Sequence, residues 1–149
     1  LIIMCSAVMF SQVLSFTGAP AAIGEFVTHL SLPAWLMLLV MMAVPFVLFM
    51  FLDQLAIMLV LIPIYKPLLV FYSFDAIWFW TLFLIVATVG GLTPPFGYVL
   101  FSMKSAVPSL SMKEIYTAAW PFVWIIVFGM FILWLFPPLI TFLPSLAAK

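Results

Sequence analysis

The sequence predicts an all-α membrane protein, and three observations carry that prediction. Of 149 residues, 69% are hydrophobic and only 5% are charged, whereas a soluble domain has about a quarter of its residues charged. The apolar stretches are continuous, as at residues 36–52 and 77–89. Strong helix breakers are gathered at a few points between them, most densely at residues 90–97.

Four Lys, no Arg, two Asp and two Glu cannot clothe a water-soluble surface. Such a composition suits a chain whose solvent is the hydrocarbon of a lipid bilayer. A barrel strand would alternate apolar and polar residues over about 10 positions. In lipid every backbone N–H needs a partner, and a continuous apolar run supplies one only by being helical. The net charge is zero, so nothing argues for a nucleic-acid partner. Cys5 has no second Cys to pair with and is expected as a packed core thiol.

In chain order, residues 1–16 form an apolar segment too short to span by itself. Leu1 stands inside that apolar run with no charged region before it, and no small-residue cleavage site follows. We therefore expect not a signal peptide but the C-terminal part of a longer chain. Thr17-Gly18-Ala19-Pro20 ends the segment with turn chemistry. Residues 21–31 carry Glu25 and His29 at i,i+4 spacing and suit a short interfacial helix or loop. Pro33 fits the first position of a helix running to about Phe51, with Pro45 expected to kink it.

Asp53-Gln54 then interrupts the apolar context, which resumes at residues 55–62 before Pro63 and Pro67. That second piece is expected to be too short to cross a hydrocarbon core of ~30 Å. Residues 33–70 accordingly read as a re-entrant helical hairpin with a polar tip. Asp75 opens the next helix as an N-terminal charge, and Trp78 and Trp80 suit an aromatic belt.

Gly90-Gly91-Leu92-Thr93-Pro94-Pro95-Phe96-Gly97 cannot be regular helix, so residues 74–105 read as a discontinuous helix. Ser111 and Glu114 form an S-x-x-E capping box ahead of a final span at about 119–136. Pro137-Pro138 and a short tail with Pro144 follow. Lys104 and Lys113 favour a cytoplasmic connection before that span, while Lys66 leaves the orientation open.

Open backbone at membrane depth costs several kcal/mol per unpaired group and persists only against protein or a wet cavity. Secondary transporters use such breaks, with carbonyls for a cation and half-helix N-termini for an anionic substrate. The two interruptions, at Asp53-Gln54 and at residues 90–97, are therefore read as approaching each other near the midplane to form one half of such a site. Candidate binding residues are Asp53, Gly90, Gly91, Thr93, Pro94 and Pro95. Asp53 also suits the N-cap of a helix beginning at Gln54, and the two roles are compatible. Gly90-Gly91 also suits a packing contact and Pro94-Pro95 a kink, although a kink needs only one Pro. No G-x-S-x-G, H-E-x-x-H or P-loop is present, and one His without Arg supports neither a nucleophile–base pair nor a phosphate clamp. The chain is not expected to be an enzyme.

At Gly91-Leu92-Thr93-Pro94-Pro95-x-Gly97 the sequence resembles a signature of the large membrane subunit of TRAP (tripartite ATP-independent periplasmic) transporters. Phe51-Leu52-Asp53-x-x-Ala56, Ile62-Pro63-Ile64 and Pro67 resemble the stretch before that signature. Ser111-Met112-Lys113-Glu114-Ile115-Tyr116 and Pro121-Phe122 resemble the stretch after it, so the resemblance spans about 17–144. It implies one of two inverted repeats of an elevator-type, sodium-coupled importer in the bacterial inner membrane. It also implies a small four-helix membrane subunit and a periplasmic substrate-binding protein as partners. Substrates would be organic anions such as dicarboxylates, keto acids or sialic acid. No cofactor is implied beyond Na⁺ as coupling ion, held by carbonyls of Gly90, Gly91 and Pro94 with the Thr93 hydroxyl, an oxygen-only donor set. Members of that family often carry Gly about where Phe49 stands here. Two other readings of the breaks remain: half of another ion-coupled anion transporter, such as a citrate or arsenite exporter, and a non-transporting scaffold subunit.

Overall fold

A computed structural model describes residues 2–29, 32–94 and 97–147. The fold is all-α, with eight helices and no strand among the described residues. They are α1 Ile2–Phe16, α2 Ala19–His29, α3 Ala34–Phe51, α4 Gln54–Phe71, α5 Ala76–Leu92, α6 Tyr98–Ala106, α7 Met112–Leu135 and α8 Pro138–Ala147. By length and composition α3, α4 and α7 are each able to cross a membrane, and α5 is a shorter apolar helix. Along the most apolar stretch of α7 only 11% of the residues are buried inside protein. Trp124, Ile125 and Phe128 stand exposed there. This is an integral membrane protein, and its apolar exterior suits lipid rather than water.

Helix α5 is the centre, flanked by α3 and α7, with α6 and α8 against its two ends and α4 touching it. Its buried face follows helical spacing: Phe79, Leu82, Phe83, Val86, Ala87 and Gly90 repeat every three or four residues. Phe79 and Phe83 have no exposed surface. Tyr65 of α4 meets both rings edge-on with centroids 6.0 Å away, and Phe49 of α3 meets Phe83 at 5.6 Å. Aromatic pairs at these angles add to the burial of apolar area.

Several local expectations meet their physical cause. The Ser111–Glu114 capping box is formed in both directions and opens α7, which runs through Pro121 to Leu135. Asp75 caps α5, its carboxylate accepting from the Trp78 amide at 2.8 Å. Gly18 turns the chain between α1 and α2 at φ +75°, a backbone region that glycine tolerates best.

Three expectations are corrected. The helix after Asp53 is not short, because α4 continues for 18 residues through both Pro63 and Pro67. Each proline removes one N–H but keeps a helical φ, and α1 and α2 pack along the helix and support it. Trp78 does not sit in an outer belt. It is buried, and its indole N–H donates to the Leu133 carbonyl of α7 at 3.0 Å. That carbonyl needs the donor, since Pro137 four residues on has no N–H to give it. Cys5 is exposed on α1 rather than packed in the core.

Candidate functional site

The chain leaves α3 through two extended residues, Leu52 (φ −124°, ψ 160°) and Asp53 (φ −63°, ψ 132°), and re-enters helix at Gln54. Asp53 occupies the N-cap position of α4, yet its side chain makes no capping bond. It stands exposed and lines a cleft of about 490 Å³ with Gln54, Leu55, Tyr98 and the last turn of α3.

The second break begins later than expected, because α5 runs as regular helix through Gly90 and Gly91 to Leu92 and ends only at Thr93. It is held by its own residues. The Thr93 amide reaches back only to Gly90, at 3.2 Å, and its hydroxyl donates to the Val89 carbonyl at 2.6 Å. The hydroxyl thus fills the place that the amide of a continuing helix would take. Thr93 is buried, and a hydroxyl that donates its one proton keeps lone pairs for a further partner. The Thr93 carbonyl accepts from the Gly97 amide at 3.1 Å, and α6 starts at the next residue. A Cβ at Gly97 would lie 2.7 Å from the Gly91 oxygen, so only glycine lets the returning chain fold this closely over the end of α5.

The two breaks come together. Gln54, at the start of α4, donates from Nε2 to the Ala87 carbonyl of α5 and accepts at Oε1 from the Tyr98 hydroxyl of α6 at 3.2 Å. A Cβ at Gly91 would meet Gln54 Nε2 at 2.9 Å and Tyr98 Cε1 at 2.5 Å. At the neighbouring position, a Cβ at Gly90 would lie 2.6 Å from Phe49 Cβ and 3.2 Å from the Phe46 oxygen. The backbone and Cβ of Phe49 are thus matched by a missing side chain opposite.

Among the candidates, Gly91 lies against Gln54 of the tip, Gly90 packs on Phe46 and Phe49 of α3, and Asp53 shares its cleft with Gln54 and Tyr98. Thr93 is buried behind them, and Pro94 is half-buried beyond it. Pro95 lies outside the described residues. Gln54, Tyr98 and Phe49 were not among the candidates. Gln54 carried a signal, an amide beside Asp53 in apolar surroundings, but no sequence pattern pairs position 54 with 98.

Four helix ends converge here: the C-termini of α3 and α5 and the N-termini of α4 and α6. The carbonyl ends carry partial negative charge and favour a cation, while the amide ends favour an anion. The same small region can therefore hold both kinds of charge.

The family model described as "Tripartite ATP-independent periplasmic transporter, DctM component" matches residues 1–139. The chain is similar to the C4-dicarboxylate TRAP transporter large permease protein DctM of Pseudomonas aeruginosa, 30% identical over 97% of this chain and 32% of that protein. It is also similar to the ectoine TRAP transporter large permease protein TeaC of Halomonas elongata, 30% identical over 94% of this chain and 33% of that protein. The sialic acid TRAP transporter permease protein SiaT of Haemophilus influenzae is 31% identical over 65% of this chain and 16% of its own length. The chain thus spans about a third, or less, of these relatives. All three are named as transporters rather than enzymes. No solved structure matches the chain.

Proposed function

The chain belongs to the family of the DctM component of tripartite ATP-independent periplasmic transporters, and on that premise we propose that it forms the second inverted repeat of a sodium-coupled importer of organic anions. In this reading it works in the bacterial inner membrane beside a small four-helix subunit, and a periplasmic binding protein delivers the substrate. The tip at Leu52–Gln54 lies at membrane depth, with α3 and α4 as a re-entrant hairpin. Na⁺ meets carbonyls of Gly90, Gly91 and Pro94 with the Thr93 hydroxyl, and the transport domain moves as an elevator. The relatives' named substrates, a C4-dicarboxylate, ectoine and sialic acid, each carry a carboxylate. A carboxylate is the group that the amide ends of α4 and α6 would attract.

The observation that supports this reading best is the junction itself. Two breaks far apart in sequence are brought into contact by Gln54, Gly91 and Tyr98. The test is uptake by the full transporter containing this chain, with its partner subunits, in proteoliposomes under a sodium gradient. Thr93→Val should weaken the sodium dependence of uptake while Thr93→Ser largely preserves it. Sodium dependence left unchanged by Thr93→Val would remove Thr93 from the site.

A further inference from the structure

We infer that Gln54 is the positioning residue of this site, its amide clasping the α3–α4 tip to both halves of the broken helix and thereby setting the carbonyl end of α5. The inference rests on the proposed sodium coupling and adds to it a residue that is not itself an ion ligand.

Both ends of the amide are used. Nε2 gives its hydrogen to the Ala87 carbonyl, and Oε1 takes the Tyr98 hydroxyl at 3.2 Å. The Ala87 contact fixes which way the amide points, because turned over it would set oxygen against oxygen. Gly91 is the slot that admits the clasp, since a Cβ there would lie 2.9 Å from Nε2 and 2.5 Å from the Tyr98 ring. Ala87 precedes Gly90 and Gly91 by about one helical turn. Through the rigid helix, a hold on its carbonyl fixes the height and rotation of the last carbonyls of α5 relative to the tip. Ion sites depend on such fixed oxygen positions, and the residues that hold them are not themselves ligands.

The chemistry separates this role from plain packing. Met has nearly the length of Gln and fills the same space, but it has no hydrogen for the Ala87 carbonyl and no oxygen for the Tyr98 hydroxyl.

The experiment titrates NaCl, against choline chloride at constant ionic strength, into the purified full transporter and reads its Tm in detergent. The wild type is expected to gain Tm with sodium. Gln54→Met, which keeps the length and loses both hydrogen bonds, should need about tenfold more sodium for half the effect, and Tyr98→Phe, which loses one of the two, only a few-fold more. A change that merely loosens packing lowers the Tm without sodium and leaves the half-effect concentration where it is. If Gln54→Met fails to fold, Tyr98→Phe decides. A sodium-responsive wild type whose deciding variant titrates with sodium as the wild type does overturns the inference and leaves the proposed function standing. A wild type with no response to sodium overturns the proposed function, and this inference with it.

Discussion

Gly90 and Phe49 meet so closely that a methyl group on Gly90 would sit 2.6 Å from the Cβ of Phe49. The contact is backbone against Cβ, so trimming the phenyl ring alone does not relieve it. Gly90→Ala should lower the stability of the transporter by about 1–3 kcal/mol through overpacking. In a double-mutant cycle read by thermal unfolding, Phe49→Gly should couple favourably to Gly90→Ala by about 1 kcal/mol or more, and Phe49→Ala by much less. Equal coupling for the two would mean that α3 and α5 do not approach as described.

Two glycines separate close approach from mere flexibility. Gly97→Ala would set a Cβ 2.7 Å from the Gly91 oxygen and 3.1 Å from the Thr93 oxygen, where no flexible side chain can yield. It should cost about 2 kcal/mol or more and depress transport. Gly129 in α7 has nothing within 4 Å of a built Cβ, so Gly129→Ala should leave stability unchanged or raise it by up to about 1 kcal/mol. Thermal unfolding of both variants in one detergent checks the contrast.

The indole of Trp78 replaces a donor that Pro137 cannot provide. Trp78→Phe should keep most of the apolar contact and leave the Leu133 carbonyl without its hydrogen bond, costing about 1–3 kcal/mol. Trp120→Phe on the exposed side of α7 should change stability by less than about 0.5 kcal/mol. Similar losses for both would show that the indole hydrogen bond is not what stabilises the contact between α5 and α7.

The start of α7 depends on a reciprocal pair. The Ser111 amide donates to Glu114 Oε2 at 2.7 Å, and the Glu114 amide to Ser111 Oγ at 3.3 Å. Ser111→Ala should cost about 1 kcal/mol, and Glu114→Ala should cost more than Glu114→Gln, which can still accept from the Ser111 amide. Hydrogen exchange across the first turn of α7 would detect the fraying, and unchanged protection in Ser111→Ala would contradict the cap.

Membrane residence, helical class and the position of the Thr93 break were legible in the sequence because they follow from local facts. An apolar run must satisfy its own backbone, and a cluster of Gly and Pro marks a break, although α5 itself continues through Gly90 and Gly91 to Leu92. The cap at Ser111 and the charge at Asp75 were readable for the same reason, each acting within four residues of itself. Length misled at α4, where Pro63 and Pro67 looked like an end. Proline only lowers a helix's preference, and neighbouring helices outweigh it.

What only the tertiary structure decided is which distant groups meet. Gln54 finds Ala87 and Tyr98, Trp78 finds Leu133, and Gly90 finds Phe49, over separations of 33 to 55 residues for the hydrogen-bonded pairs. Such pairings come from the rotation and height at which one helix packs on another. Those are properties of the whole packed surface, and no short stretch of sequence encodes them. The amino-acid sequence by itself set where the helices had to break, and packing alone set what each break faces.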